Sequence, residues 1–139
     1  MQNNANEMAV FNTAIYVRLS KEDIVAAQSG RESNSITNQK QLILDFLKDK
    51  PEFNIVSIRI DDGYTGTNFD RPKFDELIEM ARNQEIHCIM VKDLSRFGRN
   101  FLEMGNYLEL ILPLYGVRFI SINDAFDSDD YLGVTGGLE

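Results

Sequence analysis

The chain has 139 residues, of which 43% are hydrophobic and 26% charged, so it can form one globular domain with its own core. Its formal net charge of −8 argues against a domain that grips nucleic acid by bulk electrostatics, although a local cluster of arginines is compatible with it. No apolar run is long enough to span a membrane, and we expect no membrane partner.

The chain begins with a polar segment that lacks both the basic and the apolar part of a signal peptide, so residues 1–8 are expected to form a disordered leader. The run 10–17 is predicted to be a buried strand, and Arg18 and Ser20 lie where it ends. Residues two apart on a strand share a face, so both side chains would stand at the carboxyl edge of a sheet, where open α/β sheets bind ligands. A hydroxyl beside a guanidinium suits work on a phosphate, whereas the structural alternative is a serine that caps a turn.

A polar loop over 21–34 precedes a predicted helix that begins at Ser33 or Ser35 and runs to about residue 48. Gln39 lies near the start of this helix. The apolar stripe of the helix consists of Ile36, Ile43, Phe46 and Leu47. Residues 53–60 are predicted to be the second strand. Its alternating pattern separates Phe53, Ile55, Ser57 and Arg59 from Val56, Ile58 and Ile60.

A turn-rich loop over 61–68 leads to a second predicted helix, which Asp70 is expected to cap and in which Pro72 lies close to the first turn. The apolar face of this helix consists of Phe74, Leu77, Ile78 and Ala81. The run 86–91 is almost wholly apolar, as expected for a strand that is covered on both faces.

A charged loop over 92–99 precedes a third predicted helix, which Asn100 is expected to cap and Gly116 to end. The stripe of this helix consists of Met104, Tyr107, Leu108, Ile111 and Leu112. Residues 117–122 are predicted to be the fourth strand.

Strand and helix alternate throughout, which predicts a three-layer α/β fold with a mainly parallel central sheet and helices on both faces. The acidic run after the fourth strand lacks the spacing of a calcium loop and is typical of a solvated loop; its members are Asp124, Asp127, Asp129 and Asp130. Cys88 is the only cysteine and His87 the only histidine, so one chain offers neither a disulfide nor a zinc site, and both are predicted to be structural. This cysteine usage is typical of a cytoplasmic protein.

A second group of basic residues lies in the loop after the third strand. Arg96 and Arg99 are three apart, which places them on one face if the loop takes a helical turn. Parallel strands share a direction, so this loop opens at the same edge as Ser20, as does the loop that ends at Arg71. With Arg18, the predicted fold brings four arginines towards one serine, which indicates an anion site with a candidate nucleophile and no metal. A solvated basic turn is the alternative.

Four motifs resemble, in order, those of the serine recombinases of the resolvase/invertase family, and they span the chain from about residue 8 onward. They are Tyr16-Val17-Arg18-Leu19-Ser20, Ser35-Ile36-Thr37-Asn38-Gln39, Asp62-Gly63-Tyr64-Thr65-Gly66 with Asp70-Arg71-Pro72, and Lys92-Asp93-Leu94-Ser95-Arg96-Phe97-Gly98-Arg99. One such motif would be weak, but four in order, each at its predicted structural place, are specific. The loop from Asp62 to Pro72 and the segment from Asp93 to Asn100 look most like those of the large serine recombinases of mobile elements.

The resemblance implies a resolvase-like catalytic domain over residues 9–139, C-terminally truncated and without the DNA-binding domains. The serine that matches Ser20 attacks the scissile phosphodiester and leaves a 5′-phosphoseryl link and a free 3′-hydroxyl, after which strands are exchanged and rejoined. Because the link keeps the bond energy, no nucleotide cofactor and no metal are implied. Charge on the phosphate oxygens would be stabilised by Arg18, Arg96 and Arg99.

The resemblance also implies supporting roles for four other residues. Arg71 matches an arginine that contacts a DNA phosphate, and Gln39 matches a glutamine that supports the site. Many small family members have aspartate where this chain has Ser95, although Asp93 lies two residues earlier.

DNA is the partner that the resemblance implies, held mainly by domains absent from this chain, with self-association to a dimer or tetramer in the full-length protein. The isolated fragment is therefore expected to bind DNA poorly and to be inactive. The main alternative is a flavodoxin- or receiver-like module that binds a phosphate or a flavin, but the first strand is followed by neither paired acids nor a glycine- or serine-rich turn. A non-catalytic assembly domain is the third interpretation.

Overall fold

The computed structural model describes residues 10–19, 34–62, 72–94 and 101–130, so the predicted leader lies outside the described part. One sheet contains strands β1 (Phe11–Leu19), β2 (Phe53–Asp62), β3 (Cys88–Val91), β4 (Arg118–Ser121) and β5 (Phe126–Asp127). The helices are α1 (Asn34–Leu47), α2 (Pro72–Arg82) and α3, which runs from Phe101 to Tyr115.

The strand order in the sheet is β2-β1-β3-β4-β5. Strands β1 to β4 are parallel, and only β5 runs antiparallel, beside β4. The prediction of a three-layer, mainly parallel α/β fold is therefore confirmed. The order reverses between β1 and β3, because the chain goes from β1 to one side for β2 and then crosses to the other side for β3.

The two faces of the sheet carry separate apolar clusters, and β1 contributes to both. Ala14 and Tyr16 pack into the cluster covered by α2 and α3, whereas Ile15 and Val17 pack with Ile43 of α1 on the opposite face. This division follows from the period of two along a strand. Helix α1 therefore covers one face of the sheet, and α2 and α3 cover the other.

The prediction of which β2 side chains share a face is wrong beyond Ile55, because the strand contains a β-bulge. Thr13 pairs with Ile55 but Ala14 pairs with Ser57, so Val56 is the extra residue. One extra residue exchanges the two faces of the strand that follows. Ile60 consequently packs in the same cluster as Ile55, although their separation is odd.

Helix α3 is α-helical over Phe101–Asn106, π-helical over Tyr107–Ile111 and α-helical again over Leu112–Tyr115. The widened turn ends two residues before Pro113, which lacks an N–H and cannot continue an ordinary α-helical ladder. The N–H of Leu112 donates to the carbonyl of Tyr107, five residues back. Gly116 ends the helix as predicted, with a φ of 73° in the left-handed region.

The acidic run is not simply a solvated loop, because it contains β5 and an ion pair. Arg118 donates from Nε and Nη2 to the two carboxylate oxygens of Asp127, over 3.0 and 2.7 Å. The same guanidinium lies over the rings of Phe11 and Phe53, 4.9 and 5.2 Å from their centroids. This pair joins β4 to β5 at the amino ends of the parallel strands, away from the predicted site.

Candidate functional site

The strand order places β1 between β2 and β3, so the three segments that carry the predicted site residues leave the sheet side by side. Neighbouring strands lie about 4.8 Å apart. Arg18 is the penultimate residue of β1, is half-buried, and is paired in register with Asp61 of β2. In an open α/β sheet, the reversal of strand order next to β1 opens a crevice at this carboxyl edge.

Asp61 is a buried carboxylate that fixes the start of α2. Its Oδ1 accepts the N–H of Lys73 at 3.0 Å, and its Oδ2 accepts the N–H of Phe74 at 2.9 Å and the hydroxyl of Tyr16 at 2.8 Å. Acceptors at a helix start satisfy amides that have no partner within the helix, and they complement its dipole. These bonds fix the first turn of α2, the helix that directly follows Arg71 in the sequence.

Gln39 lies on α1, one turn before Ile43, and is only 1% exposed. Neither its Nε2 nor its Oε1 has a hydrogen-bond partner within the described residues. A buried amide without partners costs about 1–3 kcal/mol, so the position is unusual for a residue with only a packing role. Gln39 belongs to the helix on one face of the sheet, whereas the alternation along β1 places Arg18 on the face of Tyr16, which α2 and α3 cover.

The segment after β3 is tied to the segment after β4. Leu94 donates its N–H to Oδ2 of Asp124 over 2.7 Å, and the hydroxyl of Ser121 donates to the same oxygen over 2.6 Å. Asp93, one of the predicted site residues, is half-buried two residues after the end of β3. Hydrogen bonds therefore fix the chain as far as Leu94, the last described residue before the rest of the charged loop.

Of the residues predicted from the sequence, the structure describes Arg18 near the end of β1, Gln39 in α1 and Asp93 after β3. The other predicted site residues lie outside the described ranges; they are Ser20, Arg71, Ser95, Arg96 and Arg99. The predicted caps Asp70 and Asn100 lie outside them as well.

Sequence reasoning missed Tyr16, Asp61 and Asp124 as parts of this edge. The phenol of Tyr16 was a usable signal, because a tyrosine in a buried strand needs a partner for its hydroxyl. Asp61 and Asp124 gave no such signal, since acids in turn-rich stretches are ordinarily solvated.

Cys88 is not a competing nucleophile. It is fully buried in β3, and burial raises the pKa of its thiol to about 12, with Arg118 opposing that shift. Only the thiolate is strongly nucleophilic, so the thiol is inert near neutral pH. Its predicted structural role agrees with this burial.

The described ranges contain no group of three or more side chains that could hold a metal ion. An apolar groove of about 450 Å³ lies along α3 between Leu94 and Leu110. Its described lining includes Glu109 but no cation, so it does not suit a phosphodiester. None of the helices in the described ranges is both long enough and apolar enough to cross a membrane.

A protein-family model and several solved structures match most of the chain. Residues 13–134 match the family model described as "Resolvase, N terminal domain". No curated protein matches the sequence. The fold is similar to the N-terminal catalytic domain of TP901-1 integrase, with 21% identity, a TM-score of 0.70, and 91% of this chain and 93% of that chain covered.

Two further solved structures show the same fold. A resolvase family site-specific recombinase from Streptococcus pneumoniae is 24% identical, with a TM-score of 0.69, over 91% of this chain and 86% of that chain. The C-terminal catalytic domain of ISC1926 TnpA, an IS607-like serine recombinase, is 18% identical, with a TM-score of 0.61, over 80% and 67%. At these identities the likeness concerns the fold.

Proposed function

The chain belongs to the resolvase N-terminal domain family, and we propose that it is the catalytic domain of a site-specific DNA recombinase in which Ser20 is the nucleophile. Ser20 Oγ forms a bond to the scissile phosphorus while the bond from phosphorus to the 3′ oxygen breaks. The serine loses a proton and the leaving oxygen gains one, so the step is balanced. The reverse attack by a 3′-hydroxyl of the exchanged strand reseals the backbone without a nucleotide cofactor.

Three arginines are proposed to stabilise the transition state. Attack on a phosphodiester concentrates negative charge on its non-bridging oxygens, and preorganised guanidinium groups offset that charge. We assign this role to Arg18, Arg96 and Arg99. Arg71 is proposed to contact a neighbouring DNA phosphate, because a planar guanidinium matches phosphate oxygens.

The observation that carries the proposal is the position of β1 in the sheet. It lies between the strand that leads towards Arg71 and the strand that leads towards Arg96 and Arg99. The order β2-β1-β3 supports an arrangement in which arginines from separate segments reach the residue that follows Leu19. A different order, with β1 at an edge, would separate these segments by further strand widths.

Gln39 supports the proposal independently. Its amide is buried and has no partner in the described ranges, as expected for a polar group that is completed only when the site is loaded. We propose that Gln39 supports the reacting groups through this amide. Asp93 and Ser95 are proposed to support the arginine segment, with Ser95 in the place where many small family members have an acid.

Family membership implies a DNA substrate and self-association. We propose in addition that recognition of the DNA site, and assembly to a dimer or tetramer, depend mainly on parts of the full-length protein outside this chain. The net charge of −8 supports weak binding by these 139 residues, because bulk repulsion opposes contact with the phosphate backbone.

Covalent capture from cells tests the nucleophile and needs no defined target site. The tagged full-length protein is expressed in its host and denatured in SDS, and the DNA that stays attached is sequenced. We expect recurring ends with a blocked 5′ terminus and a free 3′-hydroxyl, and a nucleotide adduct on the peptide that contains Ser20. Ser20→Ala is expected to abolish capture, whereas the matched substitution Ser57→Ala in β2 retains it.

Capture that persists in Ser20→Ala would contradict the assignment of the nucleophile. If neither protein retains DNA, the interpretation as a non-catalytic assembly domain is favoured instead. The flavodoxin-like alternative receives no support from the resolvase family model or from the integrase and recombinase structures described above.

A further inference from the structure

The turn between β4 and β5 directs one carboxylate back towards the end of β3. Ser121 is the buried last residue of β4, and Ala125 closes the turn with a φ of 51° and an N–H that donates to Ile122 O over 3.1 Å. Asp124 lies between them. Its Oδ2 accepts the Ser121 hydroxyl over 2.6 Å and the Leu94 N–H over 2.7 Å.

Backbone hydrogen bonds continue beyond the strands towards this carboxylate. Ile122 donates its N–H to Val91 O over 3.1 Å, and Asn123 donates to Lys92 O over 2.8 Å. The two outgoing segments therefore run together past the sheet, and Asp124 makes the last bond of the series, to Leu94. The bond to Leu94 depends on the Asp124 side chain, because no backbone carbonyl of the described neighbouring segment takes its place.

We propose that Asp124 is a positioning residue for the arginine segment that begins at Ser95; this inference rests on the proposed function. Leu94 is the last described residue before that segment, and Arg96 and Arg99 follow two and five positions later. The direction in which the chain leaves Leu94 limits where both guanidinium groups can reach. Misplacement of a binding group by about 1 Å can cost two orders of magnitude in rate, so a defined departure point has functional value.

The role requires an oxygen acceptor and not a negative charge, and this distinction makes it testable. In Asp124→Asn, one amide oxygen can still accept both the Leu94 N–H and the Ser121 hydroxyl. In Asp124→Ala, both bonds are lost. Asp130→Ala is the matched control, since it removes an equal charge from another exposed acid of the same region.

The experiment is a titration of the 139-residue chain with inorganic phosphate, followed through the arginine Nε resonances in ¹H–¹⁵N spectra. We expect Asp124→Ala to weaken phosphate binding at least fivefold, and Asp124→Asn and Asp130→Ala to stay within twofold of wild type. The exposed position of Asp124 makes folding of all variants expected, and the amide resonances of the sheet check it.

The outcomes separate this inference from the proposed function. Wild-type affinity in Asp124→Ala would overturn the positioning role and leave the proposed function standing. Equal weakening in Asp124→Asn and Asp124→Ala would overturn it as well, because the charge would then matter and not the acceptor. A wild-type chain that binds no phosphate through its arginines would overturn the proposed anion site together with this inference.

Discussion

Removal of the Asp61 carboxylate should destabilise the protein strongly, although the residue lies at the end of a strand. Asp61 is 3% exposed and accepts three hydrogen bonds, from Tyr16 and from two backbone amides of α2. A hydrogen bond to a charged group contributes roughly 1.5–3 kcal/mol, and water can compensate part of the loss at the helix start. We therefore expect Asp61→Ala to lower the free energy of unfolding by about 4 kcal/mol.

The asparagine variant should show an intermediate effect for a geometric reason. The Tyr16 hydroxyl and the Phe74 N–H share Oδ2, whereas the Lys73 N–H uses Oδ1. If the asparagine places its amide oxygen in the Oδ2 position, it keeps two of the three hydrogen bonds. Its NH₂ group then faces the Lys73 N–H, and that third bond is lost. Asp61→Asn should therefore cost about 2 kcal/mol, and Tyr16→Phe, which removes a single donor, about 1–2 kcal/mol.

Urea unfolding at pH 7, followed by circular dichroism, measures these differences. In thermal unfolding of a chain of this length, a loss of about 1 kcal/mol in stability lowers Tm by about 3–4 °C. The Tm of Asp61→Ala should therefore lie about 12–16 °C below that of the wild type. Asp75→Ala is the control, because Asp75 is an exposed acid in the first turn of the same helix and should cost no more than about 1 kcal/mol. A loss below about 1 kcal/mol in Asp61→Ala would refute the reasoning that this carboxylate anchors α2.

Three further predictions concern other parts of the described chain. Burial raises the pKa of the Cys88 thiol to about 12, so the unfolded chain releases this proton at a lower pH than the folded chain does. The free energy of unfolding of the wild type should therefore fall as pH rises above about 9. Urea titrations at pH 8 and pH 10 measure this fall, and Cys88→Ala should remove the part of it that comes from the thiol. Asp127→Asn should lower the free energy of unfolding by about 2 kcal/mol, because it breaks the bidentate hydrogen bond from Arg118. Asp129→Asn should cost under about 1 kcal/mol, because the Asp129 carboxylate lies 3.7 Å from the same guanidinium. Equal losses in the two variants would contradict the assignment of Asp127 as the main partner of Arg118. Gly116→Ala should lower stability by about 1–2 kcal/mol, because its φ of 73° disfavours a side chain even though the space is open, and an unchanged midpoint of unfolding would argue against that backbone strain.

Local patterns were sufficient for most elements of this fold. The helical stripe of α1, the apolar run that contains β3 and the glycine that ends α3 each depend on residues close in sequence, and each is present in the structure. Strand β5 was missed because it has only two residues, and so short an element carries no periodic signal. The bulge at Val56 was missed because only pairing with β1 reveals the extra residue.

For the candidate site, the sequence motifs supplied the candidate residues, and the structure describes the surroundings of Arg18, Gln39 and Asp93. Gln39 was identified from its place in a motif, but its burial with an unpartnered amide could be seen only in the packed structure. The contact of Asp124 with Leu94 spans 30 positions, so no local pattern could indicate it.

The alternation of strands and helices, and with it the parallel sheet, could be derived from the sequence alone, because periodicity and turn residues act over a few positions. The order of the four short motifs also indicated the family, which the family model over residues 13–134 confirms. The packed fold was needed to reveal that β1 lies between β2 and β3, and that Asp61 and Asp124 bind the segments beside it. These features depend on contacts between distant parts of the chain, and such contacts exist only once the two apolar clusters have packed.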